Sequence, residues 1–594
     1  MTTREAISPA SRVLLGLAAV AISFAAADTY VVVLALPDMM TSTGLQLDEL
    51  QRAAPIVSGF LLGYVGVLPL IGRISDLRGR VPVLLGSLIV FAIGSLITAA
   101  AYNLETVVVG RLVQGIGGGG LIPPTLALVA DLWPPKKRGL PLGIVGAVQE
   151  LGSVLGPLYG AAVLAFGDWR LIFWLNCALG LILAAAMFTQ RDAVLPTAPQ
   201  QSADRRLDAA GILLAVLTLT GVTLVMAAPD RLARDVQLGR AYLPVTGDSR
   251  WLTPLALTTG MLLVLFLIRQ ATARHPLLGW RQWPALARET DLWGALLLTT
   301  GLGAVIVTFA SAQPEKGAVS DQAPWLVPIA LVAFAGFTIR QRRAARPLIP
   351  RGALSARPAW GALVVSFFVG AALIAALVDI PFFARLTVYR DSQLDAALVL
   401  VQFLVALPVG ALLGGWLLRK VSASSLTCVA MLMSAVAFWH MSTWDAQSLD
   451  HQIETLSLVL GGLGFGLAIA PVNAALLAHT ADVVHGVSSA LLIVARMVGM
   501  LLGISALTTI GLRAFYAASD RIPPAANLCN GEATLCQAYK DAVRDAGITQ
   551  LHAVFIGAAV CAAIAAVLAA ALLREPAELA EPTSARLRTR SEDG

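Results

Sequence analysis

Charge is what this chain lacks. Of its 594 residues 13% are Asp, Glu, Lys or Arg, about half the ~25% of a soluble domain, while 57% are hydrophobic and mean hydropathy is +0.77. A water-soluble globule is excluded. Histidine and cysteine are also sparse, with six and five copies spread over the whole length. His479, Asp482 and His485 are the one group at close spacing, and they read as a solvated loop end rather than a metal site, which needs converging ligands. No G-x-S-x-G, H-E-x-x-H or Walker pattern occurs, so covalent, zinc or ATP chemistry has no foothold. The expectation is a protein that is not an enzyme, with no cofactor, no metal and no nucleic-acid partner. The net charge of +6 is topological: Arg73/Arg78/Arg80, Lys136/Lys137/Arg138 and Arg340/Arg342/Arg343/Arg346 sit in short loops between apolar runs.

Those runs fall near 13–39, 54–72, 82–101, 106–132, 140–166, 170–189, 208–228, 252–268, 292–312, 324–339, 359–385, 394–418, 424–443, 455–479, 486–513 and 550–573. They are too long for barrel strands, so they predict about sixteen spanning helices in an all-α polytopic membrane protein. An even count puts both termini on one side, and the basic loops make that side the cytoplasm. Met1–Arg12 is short and polar and the first run is long enough to stay as a span, which predicts a cell inner membrane, or a plasma membrane, without a cleaved leader. The layout is two six-helix bundles, 1–190 and 357–574, with four inserted helices in 191–356, an outer extension at 515–550 and a cytoplasmic tail at 575–594. The insert reads as a duplicated pair: Ile268-Arg269-Gln270 matches Ile339-Arg340-Gln341, and Asp208-Ala-Ala-Gly211 matches Asp291-Leu-Trp-Gly294. Cys177, Cys428 and Cys561 stand singly in apolar runs as inert packing, whereas Cys529 and Cys536 close a polar outer segment suited to a disulfide.

Three charges lie deep in spanning runs: Asp28 in Val13–Leu36, Glu150 in Pro141–Phe166 and Arg496 in Val487–Leu512. A charge near the bilayer midplane costs at least roughly 2.5–3.5 kcal/mol on insertion scales, so such residues face a bundle interior or watery cavity and pair with one another. Two acids and one arginine read as a proton relay with a counter-ion; a purely structural ion pair is the competing reading. Asp379, in Leu377-Val-Asp-Ile-Pro381, is either a third titrating site or an interfacial acid beside a helix break.

Three motifs follow in order along the first half. Gly72-Arg-Ile-Ser-Asp76-Leu-Arg-Gly79-Arg80 resembles the Gly-x-x-x-Asp-Arg-x-Gly-Arg loop of the major facilitator superfamily, with Asp76 expected near the start of the following helix. There the motif latches the two halves in the outward-facing state; Leu77 in place of an arginine implies a weaker latch. Arg111-Leu-Val-Gln114-Gly115 resembles the superfamily's Arg-x-x-Gln-Gly motif, whose arginine is implicated in proton transfer; a snorkelling arginine near a helix end is the alternative. Gly115, Gly117 and Gly120 also satisfy G-x-G-x-x-G, but inside a span and with no preceding strand, so nucleotide binding is rejected in favour of close helix packing. Gly146, Gly152, Gly156, Pro157 and Gly160 resemble the antiporter motif of the export branch.

Asp28-Thr-Tyr-Val, Gln149-Glu150-Leu-Gly-Ser-Val-Leu-Gly-Pro-Leu-Tyr-Gly160 and Val494-Ala-Arg496-Met look like the actinobacterial triacylglycerol exporters among the drug:proton antiporters. The resemblance implies triacylglycerol or lipophilic drugs as substrates and a periplasmic lipoprotein as partner; the expectation is a proton-coupled exporter, monomeric and working by alternating access. The resemblance also makes Asp28 and Glu150 proton-coupled acids and Arg496 the switchable partner of Glu150; Arg111 joins them as a proton-coupling candidate through its Arg-x-x-Gln-Gly motif. The alternatives are a polyspecific drug exporter with no lipid role, or a membrane sensor or enzyme of lipids that moves nothing.

Overall fold

The computed structural model describes residues 9–45, 50–190, 208–273, 286–310 except 288, 320–389, 393–529 and 536–574. The expected tail at 575–594 lies outside them. Among the described residues the regular structure is helical, and sixteen segments are long and apolar enough to cross a membrane. The long helices are α1 (Pro9–Ser42), α2 (Leu50–Gly66), α3 (Leu68–Arg78), α4 (Arg80–Ala99), α5 (Leu104–Gly119), α6 (Ile122–Leu132), α7 (Gly139–Phe166) and α8 (Arg170–Gln190). The inserted helices are α9 (Ala209–Ala227), α10 (Pro254–Thr272), α11 (Leu292–Ala310) and α12 (Ala323–Arg343). The last six are α13 (Arg357–Leu386), α14 (Gln393–Leu417), α15 (Ala423–Met441), α16 (Gln452–Ala478), α17 (His485–Ser519) and α18 (Gln537–Leu572). The runs near 54–72 and 106–132 are each two helices end to end, because Pro69 and the pair Pro123-Pro124 cannot donate to the preceding turn.

Contacts gather the chain into two compact units, Met1–Leu128 with Gly152–Gln313 and Val319–Pro350, and Val129–Leu151 with Pro314–Ala318 and Arg351–Gly594. The boundary between Leu151 and Gly152 falls inside α7.

Hydrocarbon supplies no hydrophobic force between helices, so close backbone approach through small residues does the packing. In the first unit, α5 is wedged this way on two sides. A Cβ at Gly115 or Gly119 would lie 2.1 or 2.2 Å from the carbonyl oxygens of Phe60 and Tyr64 on α2, and one at Gly117 2.2 Å from the Phe91 nitrogen on α4. In the second unit the same device joins α14 to α16, with Gly466 against the Leu407 carbonyl, and α13 to α17, with Gly499 against the Phe367 carbonyl. Aromatic rings fill what remains there: Phe438 stacks on Phe555 at 6.3 Å, and Phe383 and Phe403 extend the cluster to Trp444 and Phe465. Helices α17 and α18 run 35 and 36 residues, about 53 Å at 1.5 Å per residue, so each outruns a ~30 Å hydrocarbon core by about 20 Å.

The inserted helices pack as two hairpins, α9 on α10 and α11 on α12, and α11 also packs on α2. Each hairpin has the same clasp. Asp208 Oδ1 caps α9 by accepting from the Gly211 amide at 3.0 Å and also accepts from Arg269 Nε and Nη2 at 3.0 and 2.8 Å. Asp291 Oδ1 caps α11 by accepting from the Gly294 amide at 3.2 Å and also accepts from Arg340 Nε at 2.9 Å. The backbone differs, since Asp291 alone of the two has positive φ, +46°.

The hydrogen bond from Arg269, aided by the Gly211 amide, holds the Asp208 carboxyl below its usual range. A depressed folded-state value means stability that is present above the unfolded pKa of about 3.9 and lost as pH falls through the folded value. Asp208→Asn is therefore expected to lower the thermal unfolding midpoint at pH 7, with the gap to wild type closing below about pH 4. Asp208→Ala, which loses the cap as well, should cost about 1 kcal/mol more. A gap independent of pH in a fluorescence melt would refute an ionised clasp.

Candidate functional site

Asp28 lies within α1, with its side chain 1% exposed, and its carboxylate is met from two other helices, α5 and α8. Arg111 Nη1 on α5 donates to Oδ2 at 2.5 Å. Gln114 Nε2, one turn further on, donates to Oδ1 at 3.0 Å and to Ser95 Oγ on α4 at 3.0 Å. Asn176 Nδ2 on α8 donates to the same Oδ1. Arg111 is itself 1% exposed; it also donates to Gln114 Oε1 at 2.6 Å and lies over the Phe60 ring at 4.3 Å. A snorkelling arginine is thereby ruled out. Its i, i+3 spacing to Gln114 puts both side chains on one helical face, so the Arg-x-x-Gln pair works as a single clamp.

The sequence reading let Asp28 share Arg496 as counter-ion; in the structure its ion pair is with Arg111, in its own unit. A charge-assisted pair in low dielectric is strong only when its remaining lone pairs are also satisfied, which Gln114 and Asn176 accomplish. Ser95 and Asn176 went unnoticed because single small polar residues in an apolar run are common. The signal for Asn176 is a lone amide within the apolar stretch Leu171–Phe188 of α8.

The glycines of the antiporter motif hold α7 against the site helix. A Cβ at Gly152 would lie 2.0 Å from the Ser23 carbonyl oxygen and one at Gly156 2.6 Å from that of Ala27, the residue before Asp28. Gly160 is buried, Pro157 is exposed, and α7 continues through it. Earlier on α7, in the second unit, Gly146 rests on Ile469. Glu150 also belongs to that unit, as does Arg496 on α17, whose charge acts on Glu150. Gly370 on α13 meets the Arg496 carbonyl, where a Cβ would be 2.1 Å away, and so fixes the backbone of the arginine. Asp28 with Arg111 thus falls in the first unit and Glu150 with Arg496 in the second.

The other candidates stand apart. Asp379 is nine residues beyond Gly370 on α13, about 13 Å along the axis from the level of Arg496. Asp76 is not at the start of a helix: it occupies the last turn of α3, where the dipole disfavours a carboxylate. Arg80, the first residue of α4, compensates by pairing with Asp76 and donating to Ser75 Oγ at 3.1 Å. Gly79 makes the turn between them at φ +90°, and Gly72 is buried in α3. Arg138, read as a loop charge, is 6% exposed and donates to the carbonyls of Ala130, Trp133 and Leu477 at the ends of α6 and α16. His485 is fully buried rather than solvated, its Nε2 lying 3.1 Å from the Leu477 carbonyl oxygen. Cys529 and Cys536 form a disulfide between α17 and α18.

Removing one side of the Asp28 pair leaves a lone buried charge. Asp28→Asn should therefore destabilise the detergent-solubilised protein by about 3–5 kcal/mol, and adding Arg111→Met should recover much of that loss. A double variant no more stable than the single one in a thermal melt would show that Asp28 and Arg111 are not coupled.

The comparisons with known proteins agree with this architecture. The Major Facilitator Superfamily pattern matches residues 18–504. A triacylglyceride transporter of Mycolicibacterium hassiacum is 34% identical over 506 residues, 83% of this chain and 78% of that protein. One of Mycobacterium tuberculosis is 32% identical over 550 residues, 89% of each chain. Among solved structures, the human organic anion transporter MFSD10 aligns with a TM-score of 0.52 at 14% identity, over 95% of this chain and 100% of that one. The proton:xylose symporter XylE aligns with a TM-score of 0.52 at 13% identity, over 96% and 97%. At such identities the two structures speak for the fold alone, and the sequence matches carry the kinship: this multi-pass membrane protein belongs to the Major Facilitator Superfamily of transporters.

Proposed function

We propose that the chain is a proton-coupled exporter of triacylglycerol-like lipids, working by alternating access in the cell inner membrane with both termini in the cytoplasm. The observation that carries the coupling is the buried Asp28–Arg111 pair with its amide donors. An ionised cluster inside membrane-crossing helices is costly to keep, and such residues mark ion paths. Protonating Asp28 removes the charge that Arg111 neutralises, so the two protonation states favour different arrangements of α1, α5 and α8. Glu150 with Arg496 is the second proton-responsive pair in this reading. Protonation shifts an equilibrium between states only by its differential effect on them, and a buried ion pair that opens supplies that difference.

The lipid substrate rests on the names of the mycobacterial relatives, at 32–34% identity over most of the chain. It also rests on the scarcity of polar groups in the spans, which suits a hydrophobic cargo. The basic loops Arg73/Arg78 and Arg340/Arg342/Arg343/Arg346 support the cytoplasmic placement of the termini.

In proteoliposomes with an imposed pH gradient, wild type should move fluorescent triacylglycerol, and Glu150→Gln and Arg496→Ala should each fall below about a tenth of that rate while remaining folded. Wild-type flux in either variant would sink the switch reading. Transport of a lipophilic dye without any triacylglycerol would favour a drug exporter instead.

A further inference from the structure

Within the first unit, α11 and α12 of the insert meet α2 and α5 around a crevice of about 490 Å³. Its walls include Leu62 and Gly63 of α2, Leu112 and Ile116 of α5, Gly303 of α11 and Ile329 of α12. On the α2–α11 contact Thr299 donates its hydroxyl to the Gly66 carbonyl at 2.6 Å. Every wall belongs to a membrane-crossing segment and no charged residue lines the crevice, so the medium that reaches it is hydrocarbon.

One polar group breaks the pattern. Thr308 and Thr338, on the same hairpin, donate to the carbonyl four residues back, at 2.7 and 2.8 Å, as threonines in spans commonly do. Thr300 is exposed, lines the crevice and engages no carbonyl among the described residues. In the span Leu292–Phe309 it stands eight residues from one end and nine from the other, about 12–14 Å from either. A hydroxyl left without an acceptor in hydrocarbon is costly. The esters of a phospholipid are held at the interface by its charged head group and do not come to this depth. A neutral glycerolipid carries esters with no charged head, so its carbonyls can.

We propose that this crevice binds one acyl arm of a neutral glycerolipid, with Thr300 donating to an ester carbonyl oxygen, and that the α11–α12 hairpin serves to form this site. The proposal rests on the lipid-transport reading and adds a place and a selectivity to it. The acyl chain lies along Leu62, Leu112, Ile116 and Ile329, and the ester is fixed at mid-depth. Because Leu112 and Ile116 flank Arg111 and Gln114 on α5, an occupied crevice bears on the helix that carries the Asp28 clamp.

The test uses the full chain in nanodiscs with two photoreactive probes, a diazirine-bearing triacylglycerol and a diazirine-bearing phosphatidylethanolamine, and maps the crosslinked peptides. The triacylglycerol probe should label the α5 and α12 walls in preference to the phospholipid probe. Thr300→Val should lower that labelling about threefold, the weight of one hydrogen bond inside a membrane. Ile329→Trp, at a half-exposed position, should fill the crevice and abolish labelling, while Leu331→Trp, on the same helix outside the crevice, should not. Equal labelling by both probes would mean a structural phospholipid and overturn the proposal. So would full triacylglycerol labelling in Ile329→Trp. Proteoliposome flux separates the two readings: if wild type moves no triacylglycerol the transport reading fails, whereas normal flux with unlabelled walls overturns only the crevice.

Discussion

A carboxylate survives as an anion in hydrocarbon only when a cation and further donors reach it, and the architecture of the first unit follows from that requirement at Asp28. Four helices are brought to one point: α1 supplies the acid, α5 the guanidinium and an amide, α8 a second amide and α4 the hydroxyl that orients the first amide. Convergence at such distances demands helices closer than ordinary side chains allow. The glycines of α5 and of the second part of α7 provide it, each set against the backbone of a helix next to the cluster. What reads in sequence as a phosphate-loop look-alike and an antiporter signature is, physically, the spacing system for one buried ion pair.

How much of this was legible depended on whether a residue's role is set locally or by the fold. Spans, the inserted hairpins and the deep placement of Asp28, Glu150 and Arg496 are written in contrast: a charge in an apolar run is conspicuous. The partner of Asp28 was not, because ion pairing across helices depends on which faces meet, and one sequence carries no inter-helix register. Ser95 and Asn176 were hidden for the opposite reason, being too ordinary to stand out. Asp76 falls in the last turn of α3 rather than near the start of α4, because Gly79, three residues after it, makes the turn. Arg138 reads as a topological charge until its carbonyl partners are seen.

The two units solve the same electrostatic problem with different degrees of enclosure. Asp28 is sealed on all sides by donors, whereas Glu150 and Arg496 are only half-buried and are positioned through backbone contacts such as Gly370 against the Arg496 carbonyl. The inserted helices add a third element, an apolar wall against α2 and α5 that widens the contact of the first unit with surrounding lipid.

The clasps of Asp208 with Arg269 and Asp291 with Arg340 bear on how the chain is made. Each joins the start of one hairpin helix to the end of its mate, so the ion pair of a hairpin can close once its second helix has left the ribosome. Nothing synthesised later is needed to give its buried carboxylate a cation. Biogenesis can therefore deliver the insert to the bilayer as two finished parcels, and the growing chain is spared an exposed acid while the last six helices are still being translated.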